Sequence, residues 1–215
     1  MAHRLAAEGA DPGTLILAEA QTAGRGRQGK PWSSAPGRGI WLTLIERISD
    51  RAAIDVLSLR VGLHMAEALE ALTREQFRIK WPNDLYRRDQ KLAGILVEAR
   101  WRGSEPDWIA IGVGLNMVSP SDQPTAIGLE DTPLSRQEVL AAIVPAIRAA
   151  AWASGTLTPA ELTRFAARDF ARGRRVIEPV VGVAAGIDPS GALRITTDTG
   201  LVQIQAGSLV FDPAT

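Results

Sequence analysis

A segment of low hydrophobicity, residues 21–39, lies between two short apolar runs near the start of the chain. It holds five glycines and two prolines in nineteen residues, which is unfavourable for a helix or a central strand. The flanking runs, residues 14–20 and 40–46, are rich in aliphatic residues and are typical of buried strands. The pattern therefore predicts two strands joined by a long loop that is available for binding.

The remainder of the chain predicts a first domain over residues 1–172 and a second over residues 173–215. Helical spacing of apolar residues runs over 50–72, and Ser135 and Thr158 each begin a helix with a capping box. Further strands are predicted over 77–81, 91–98 and 108–114. Short β-rich runs and tight turns follow residue 173 and suggest a small barrel. The predicted class is α+β, a mixed and mostly antiparallel sheet with helices packed on it.

The amino-acid composition excludes several kinds of functional site. The 24 basic and 24 acidic side chains cancel, so no general coat for nucleic acid is implied. The absence of cysteine excludes disulfides, thiolate nucleophiles and cysteine-ligated metals, and two histidines are too few for a multi-histidine metal site. No apolar run is long enough to cross a membrane, and no secretory signal is recognisable, so the expected location is the cytoplasm.

Positive charge is concentrated in the loop. Residues 21–39 carry Arg25, Arg27, Lys30 and Arg38 and no acid, which predicts an anionic ligand. Glycines between the arginines allow backbone amides to approach phosphate oxygens, and Trp32 offers a flat face for a nucleobase. The spacing matches neither of the common glycine-rich nucleotide motifs. A solvated basic loop and a single-stranded nucleic-acid binder are the alternatives.

The scarcity of lysine makes each lysine informative. The chain has 21 arginines and only Lys30, Lys80 and Lys91. An ammonium is a compact point charge, whereas a guanidinium is planar and wider, so these three lysines are candidates for chemistry. Asn83 and Asp84 follow Lys80 closely and could meet a metal-phosphate complex, although Pro-Asn-Asp is also ordinary turn chemistry.

Four motifs together resemble a known family. AGRGRQGKPW, KWPNDLY, KLAGILVE and GVGLNM occur in the order and spacing found in the catalytic domain of biotin protein ligases. GIDPSGAL, near the chain's end, resembles part of that family's C-terminal SH3-like barrel. The resemblance is to the monofunctional class without a DNA-binding domain. It implies activation of biotin as biotinyl-5′-AMP and transfer to a lysine of a biotin carboxyl-carrier protein.

The resemblance also implies roles for individual residues. The catalytic residues would be Lys91, Arg25 and Arg27. The biotin-binding residues would be Gln21, Gly24, Arg25, Gly26, Arg27, Lys91 and Gly94. The ATP-binding residues would be Arg27, Lys30, Trp32, Asn83, Asp84, Lys91 and Asn116, with Asp84 as a ligand of the Mg²⁺ that accompanies ATP.

The partners implied are ATP, biotin and the carrier domain of a biotin-dependent carboxylase, with neither DNA nor membrane, for a monomer or a homodimer. The family places a Ser-Thr-Asn motif on a strand just before the helix that residues 1–9 resemble. We therefore expect in-frame codons upstream of Met1 to encode this motif. A lipoate ligase, and a truncated or degenerate homologue that binds nucleotide or carrier without efficient catalysis, are the alternative functions.

Overall fold

The computed structural model describes residues 1–213, and its larger sheet has six strands. These are β1 (Thr14–Ala18), β2 (Gly39–Glu46), β3 (Phe77–Lys80), β4 (Asp84–Arg87), β5 (Gln90–Arg102) and β6 (Glu105–Asn116). Their order is β1-β2-β6-β5-β4-β3, and all neighbours are antiparallel. The predicted antiparallel architecture is thereby confirmed.

Five helices accompany this sheet. They are α1 (Ala2–Ala7), α2 (Arg51–Asp55), α3 (Leu57–Thr73), α4 (Arg136–Trp152) and α5 (Pro159–Ala166). Both predicted capping boxes are present, at the starts of α4 and α5. The single helix predicted over 50–72 is two helices that meet at Val56. None of the helices described is long and apolar enough to cross a membrane.

The two faces of the larger sheet are covered differently. Alternate residues such as Leu42, Ile95 and Val113 join α3 and α4 in the main core. On the opposite face, α1 covers only one end of the sheet, where Ala6 packs in a small cluster with Trp108. The rest of this second face is therefore left for the loop of residues 21–39 and for a ligand.

The C-terminal sheet has five antiparallel strands. They are β7 (Arg175–Glu178), β8 (Gly182–Ile187), β9 (Leu193–Thr197), β10 (Gly200–Ile204) and β11 (Val210–Phe211), in the order β10-β9-β8-β7-β11. Over residues 1–213 no pairing between the outer strands β10 and β11 closes it into the expected barrel. The last two residues of the predicted domain 173–215 lie outside the described part of the chain.

The C-terminal sheet packs directly on the larger domain. The indole N–H of Trp81 donates to the carbonyl of Gly191 at 2.9 Å. Gly191 has a φ of +80°, and a Cβ there would lie 2.9 Å from the side chain of Leu59. Buried residues of both parts, including Ile79 and Ile195, belong to one continuous core. The junction therefore fixes the β3–β4 region against the second sheet.

Sequence patterns gave an incomplete picture of β4, β5 and β6. The turn predicted at residues 82–84 ends at Asn83, and Asp84 already opens β4. The hairpin of β5 and β6 extends well beyond the predicted strands and turns at Gly103, where φ is +64°. Its tip is exposed on both faces and rich in charge, so it lacks the alternation that reveals a half-buried strand.

Candidate active site

Residues 21–38 form a long loop, as predicted, and within it residues 24–32 fold back on themselves as a short hairpin. The Trp32 N–H donates to the Gly24 carbonyl at 2.9 Å, and the Gly26 N–H donates to the Lys30 carbonyl at 2.7 Å. The turn between them uses positive φ at Gln28, a value of 56°, where the side chain tolerates the left-handed region at some cost. The glycines thus permit a tight turn in a positively charged segment. We call residues 24–32 the basic hairpin.

Trp32 lies on a flat bed made by two glycines. Gly94 and Gly114 are directly opposite each other in β5 and β6. A Cβ on Gly94 would lie 3.0 Å from the Trp32 ring, and one on Gly114 would lie 2.5 Å from its Nε1. The buried Trp32 Nε1 has no hydrogen-bond acceptor among residues 1–213. The sheet therefore brings an aromatic face and an unused donor to the second face.

Lys91 forms an ion pair at the edge of this bed. Its Nζ lies 2.7 Å from Asp84 Oδ1 and 5.1 Å from the centroid of the Trp32 ring. The Lys91 backbone is fixed on both sides, because its N–H donates to Thr125 and its carbonyl accepts from Ile127. Lys91 and Asp84 remain 30% and 19% exposed, so a ligand can still reach both.

Arg27 joins the basic hairpin to the strand that carries Asp84. Its Nη1 donates to Asn83 Oδ1 at 3.2 Å and to the Gly207 carbonyl at 3.3 Å. Asn83 is itself held, because its amide donates to the Ile95 carbonyl at 2.8 Å. Burial lowers the pKa of Arg27, and the nearby charge of Asp84 opposes that effect. Because a guanidinium is not deprotonated in proteins, Arg27 brings a positive charge into a partly dry site.

Among the described residues, the other predicted site side chains form no hydrogen bond or ion pair with Arg27, Asp84 or Lys91. Gln21 is exposed, and its Oε1 accepts from Ser34 Oγ at 2.6 Å. The side chains of Arg25 and Lys30 are exposed and form no ion pair with the described residues. Asn116 is buried, donates to Ile127 at 3.3 Å and lines a separate cleft of about 80 Å³. The structure thus brings together Arg27, Trp32, Asn83, Asp84, Lys91, Gly24, Gly26 and Gly94.

Two groups next to the cluster are not among the predicted site residues. The Gly207 carbonyl, from the segment before β11, contacts Arg27, and no sequence pattern points to a backbone oxygen. Lys80 lies directly opposite Asp84 across β3 and β4. The scarcity of lysine had marked Lys80 as a candidate, but the family motif gave it no role.

The metal-binding capacity of the site is small. Within residues 1–213 no group of three or more histidine, cysteine or acidic side chains could hold a metal ion. Asp84 is the carboxylate of the cluster, and it is paired with Lys91. Mg²⁺ commonly uses one or two carboxylates and completes its shell with substrate phosphates and water. The chemistry of Asp84 would therefore fit one contact to a magnesium ion that brings its other oxygen ligands with it.

The comparisons with known proteins agree with this geometry. The sequence profile of the biotin/lipoate A/B protein ligase family matches residues 2–116, which include the basic hairpin, Asp84 and Lys91. The chain belongs to the biotin/lipoate A/B protein ligase family. The profile of the biotin protein ligase C-terminal domain matches residues 175–212, the second sheet.

Individual relatives extend the family match along the chain. The biotin–[acetyl-CoA-carboxylase] ligase of Mycobacterium tuberculosis is 32% identical over 222 residues, covering 95% of this chain and 82% of that protein. The bifunctional ligase/repressor BirA of Escherichia coli is 35% identical over 201 residues, covering 86% of this chain. That match spans 62% of the length of BirA.

A solved member of the family has the same architecture. The biotin protein ligase of Aquifex aeolicus, in a structure with biotin and ATP, superposes with a TM-score of 0.81 at 26% identity. The match covers 98% of this chain and 93% of that chain. This chain therefore shares both of its sheets with a ligase whose structure contains biotin and ATP.

Proposed function

We propose that this chain is an ATP-dependent ligase of the monofunctional class, acting in the cytoplasm on biotin and a biotin carboxyl-carrier protein. A biotin carboxylate oxygen attacks the α-phosphorus of ATP, the bond to the β-phosphate oxygen breaks, and pyrophosphate leaves. The carrier lysine, as a free amine, then attacks the acyl carbon of biotinyl-5′-AMP. AMP leaves with the electrons of the C–O bond, and the new amide nitrogen gives one proton to solvent.

The observation that carries this proposal is the position of the Lys91 ammonium between Asp84 and the Trp32 ring. The first step requires two anions, a carboxylate and a phosphate, to approach each other. At about 4 Å and an effective dielectric constant near 20, this repulsion is about 4 kcal/mol. A fixed point charge at Lys91 offsets it where the new bond forms, and a small ammonium can contact both reactants.

The other members of the cluster have supporting roles in the proposal. Arg27 would hold phosphate oxygens, because the hairpin fixes its guanidinium beside Asn83. Trp32 would stack on adenine from its bed of glycines. Asp84 would contact Mg²⁺, which supplies additional charge neutralisation to ATP when bound. Gln21 and Asn116 would exchange their present hydrogen bonds for ligand contacts, and Arg25 and Lys30 would supply exposed positive charge beside the phosphates.

A pyrophosphate assay without carrier protein tests the first step alone. The chain is incubated with ATP and Mg²⁺, and with either biotin, lipoate or no acid. We expect pyrophosphate release that depends on biotin, because the site provides a cation for one carboxylate beside a nucleotide. Release with lipoate but not with biotin would contradict the substrate assignment. Release that is equal with and without either acid would contradict adenylation.

A further inference from the structure

The backbone of Lys91 is paired with the β6–α4 segment, residues 118–131. The Lys91 N–H donates to the Thr125 carbonyl at 2.9 Å, and the Lys91 carbonyl accepts from the Ile127 N–H at 3.0 Å. The pairing of β5 with β6 begins only at Ala93, so on this side of Lys91 the segment takes the place of a neighbouring strand. The position of Lys91 on this side therefore depends on how firmly the β6–α4 segment is held.

A side chain of β4 holds the β6–α4 segment in place. The segment has no helix or strand of its own apart from one isolated bridge, so its position depends on side-chain contacts. Arg87 Nη1 donates to the Gly128 carbonyl at 2.9 Å and to Asp131 Oδ1 at 2.6 Å. Gly128 directly follows Ile127, the residue that donates to Lys91. The contact made by Arg87 is thus one residue away from the contact made with Lys91.

Arg87 is itself fixed to the main scaffold on its other side. Its Nε and Nη2 donate to the two carboxylate oxygens of Glu75, between α3 and β3, at 3.0 Å and 2.6 Å. The Arg87 side chain is only 1% exposed. Its hydrogen bonds are the main cause that lowers the pKa of Glu75 and that of Asp131, so both carboxylates stay ionised at neutral pH. A planar guanidinium can join both sides at once, whereas a compact ammonium cannot.

The neighbouring Arg88 contacts the same two carboxylates from the solvent side. Its Nη1 donates to Asp131 Oδ2 at 2.6 Å, and its Nη2 donates to Glu75 Oε1 at 3.1 Å. The Arg88 side chain is 56% exposed, and among the described residues it donates no hydrogen bond to Gly128. Ion pairs of exposed side chains are screened by water and contribute little. Arg88 therefore shares the charge partners of Arg87 but not its contact with the backbone of the segment.

We propose that Arg87 is a positioning residue for Lys91 in the adenylation step. Its contact with the Gly128 carbonyl fixes Ile127, which in turn donates to the Lys91 carbonyl. The ammonium of Lys91 is thereby kept beside Asp84, where the two reacting anions meet in the proposed reaction. Arg87 acts through the β6–α4 segment and is not itself a catalytic residue. The inference rests on the proposed function for its effect on rate, but not for its effect on the Lys91 backbone.

Amide hydrogen exchange in the ligand-free chain, resolved by residue with NMR, tests the positioning contact without substrate. Arg87→Lys keeps a cation between the two carboxylates but loses the fork that also reaches the backbone carbonyl. We expect the amides of Lys91 and Ile127 to exchange about tenfold faster in this variant, because the segment opens more easily. Amides in the middle of β6 should be unchanged. Arg88→Lys is the matched control and should exchange as the parent does at all of these positions.

Single-turnover adenylation at saturating biotin and ATP is the second measurement. We expect Arg87→Lys to lower this rate about 10- to 100-fold, since a misplacement of about 1 Å can cost about 10²-fold. The KM for ATP should change by less than about threefold. Arg60→Lys is the control for lost stability, because Arg60 is equally buried but pairs with Glu161, away from the segment. It should retain the parent rate under conditions in which circular dichroism shows both variants folded.

A milder variant, Asp131→Asn, keeps the test decisive if Arg87→Lys does not fold. It removes one charge from the end of the segment, so exchange at Lys91 should become faster by a smaller factor. Unchanged exchange at Lys91 in both variants, a parent rate in Arg87→Lys, or equal rate losses in Arg87→Lys and Arg60→Lys would each overturn the inference. Faster exchange at Lys91 in these variants of a chain that never releases pyrophosphate with biotin would refute the proposed function and keep the positioning contact.

Discussion

Lys91 is held between a carboxylate and an aromatic ring. Asp84 lies 2.7 Å from its Nζ, and the Trp32 centroid lies 5.1 Å away. Lys91→Arg keeps the charge but replaces a point donor with a planar fork. We expect single-turnover adenylation to fall by roughly 10²–10³, the usual effect of losing one contact in a transition state.

The matched control for Lys91→Arg is the reverse exchange, Arg102→Lys, at an exposed position on the same strand. It should retain the parent rate, and circular dichroism should show both variants folded. A Lys91→Arg enzyme within about threefold of the parent would mean that Lys91 only pairs with Asp84. The rate is measured at saturating biotin and ATP, so that binding differences do not enter.

Gly114 sets the position of the Trp32 ring. A Cβ at Gly114 would lie 2.5 Å from Trp32 Nε1, so Gly114→Ala must displace the indole. Base stacking on an aromatic side chain contributes about 1–3 kcal/mol, and we expect ATP affinity to fall at least about fivefold. Near-ultraviolet circular dichroism should change as the ring moves.

Gly112→Ala is the control for Gly114→Ala, because its new Cβ would lie 3.4 Å from the Leu96 carbonyl oxygen and 3.6 Å from the Leu96 Cβ, close to ordinary contact distances. Its near-ultraviolet spectrum should match that of the parent. If Gly114→Ala shifts the tryptophan spectrum yet binds ATP as tightly as the parent, Trp32 does not form part of the nucleotide site.

At the scale of elements, the basic hairpin has few internal supports. Its ladder includes the Trp32–Gly24 and Gly26–Lys30 hydrogen bonds, and most of its residues are exposed. Segments with few buried apolar contacts open at low free energy. We expect its amides to exchange faster than those of β6 in the free protein, and to become slower when biotin and ATP are added. Exchange rates in the hairpin that do not respond to the ligands would contradict its role as a closing element.

The start of α5 is joined to α3 by a buried ion pair. Glu161 Oε1 accepts from Arg60 Nε at 2.6 Å, and Glu161 also accepts from the Thr158 backbone and hydroxyl. Burial alone would raise the pKa of Glu161, but the hydrogen bonds from Arg60 and Thr158 outweigh burial and lower it from 4.5 to about 2. The folded state therefore binds a proton at this carboxylate less readily than the unfolded state does.

Glu161→Gln should cost about 3–5 kcal/mol of unfolding free energy at neutral pH, because Arg60 is left buried without its counter-ion. The stabilisation by Glu161 is fully present above its unfolded pKa, 4.5, and is lost as pH falls through its folded value of about 2. The difference between parent and variant should shrink across this window in denaturant titrations. A difference independent of pH would contradict the ionised pair. Glu8→Gln, in an exposed pair with Arg4, is the control.

The predictable elements were those with a periodic burial pattern or a cap. Burial alternates along β1, and β2 is almost entirely buried. The helices α4 and α5 each begin with a capping box. The loop of residues 21–39 was predictable, but the pairing within residues 24–32 was not, because it uses backbone atoms of glycine and of exposed residues. In a glycine-rich segment without a buried face, the local sequence does not specify which residues pair.

At the scale of the whole molecule, the predictable part of the site was the part within motifs. Arg27, Asn83, Asp84 and Lys91 come from three separate motifs, and the sheet brings them together as expected. The contact of Arg27 with the Gly207 carbonyl could not be predicted, because it depends on how the C-terminal sheet packs on the larger one. A contact between residues far apart in the sequence cannot be predicted from the pattern of either segment alone.

In the proposed reaction, the assembled site selects biotin and delivers it to a carrier lysine. The most direct test incubates the chain with ATP, Mg²⁺, a biotin carboxyl-carrier domain, and equal concentrations of biotin and lipoate. The intact mass of the carrier is then measured. We predict the gain of one biotinyl group at one lysine, dependent on ATP and abolished in Lys91→Arg. A carrier that gains a lipoyl group would contradict the selection of biotin. A carrier that stays unmodified while the folded chain turns over ATP would contradict the transfer step.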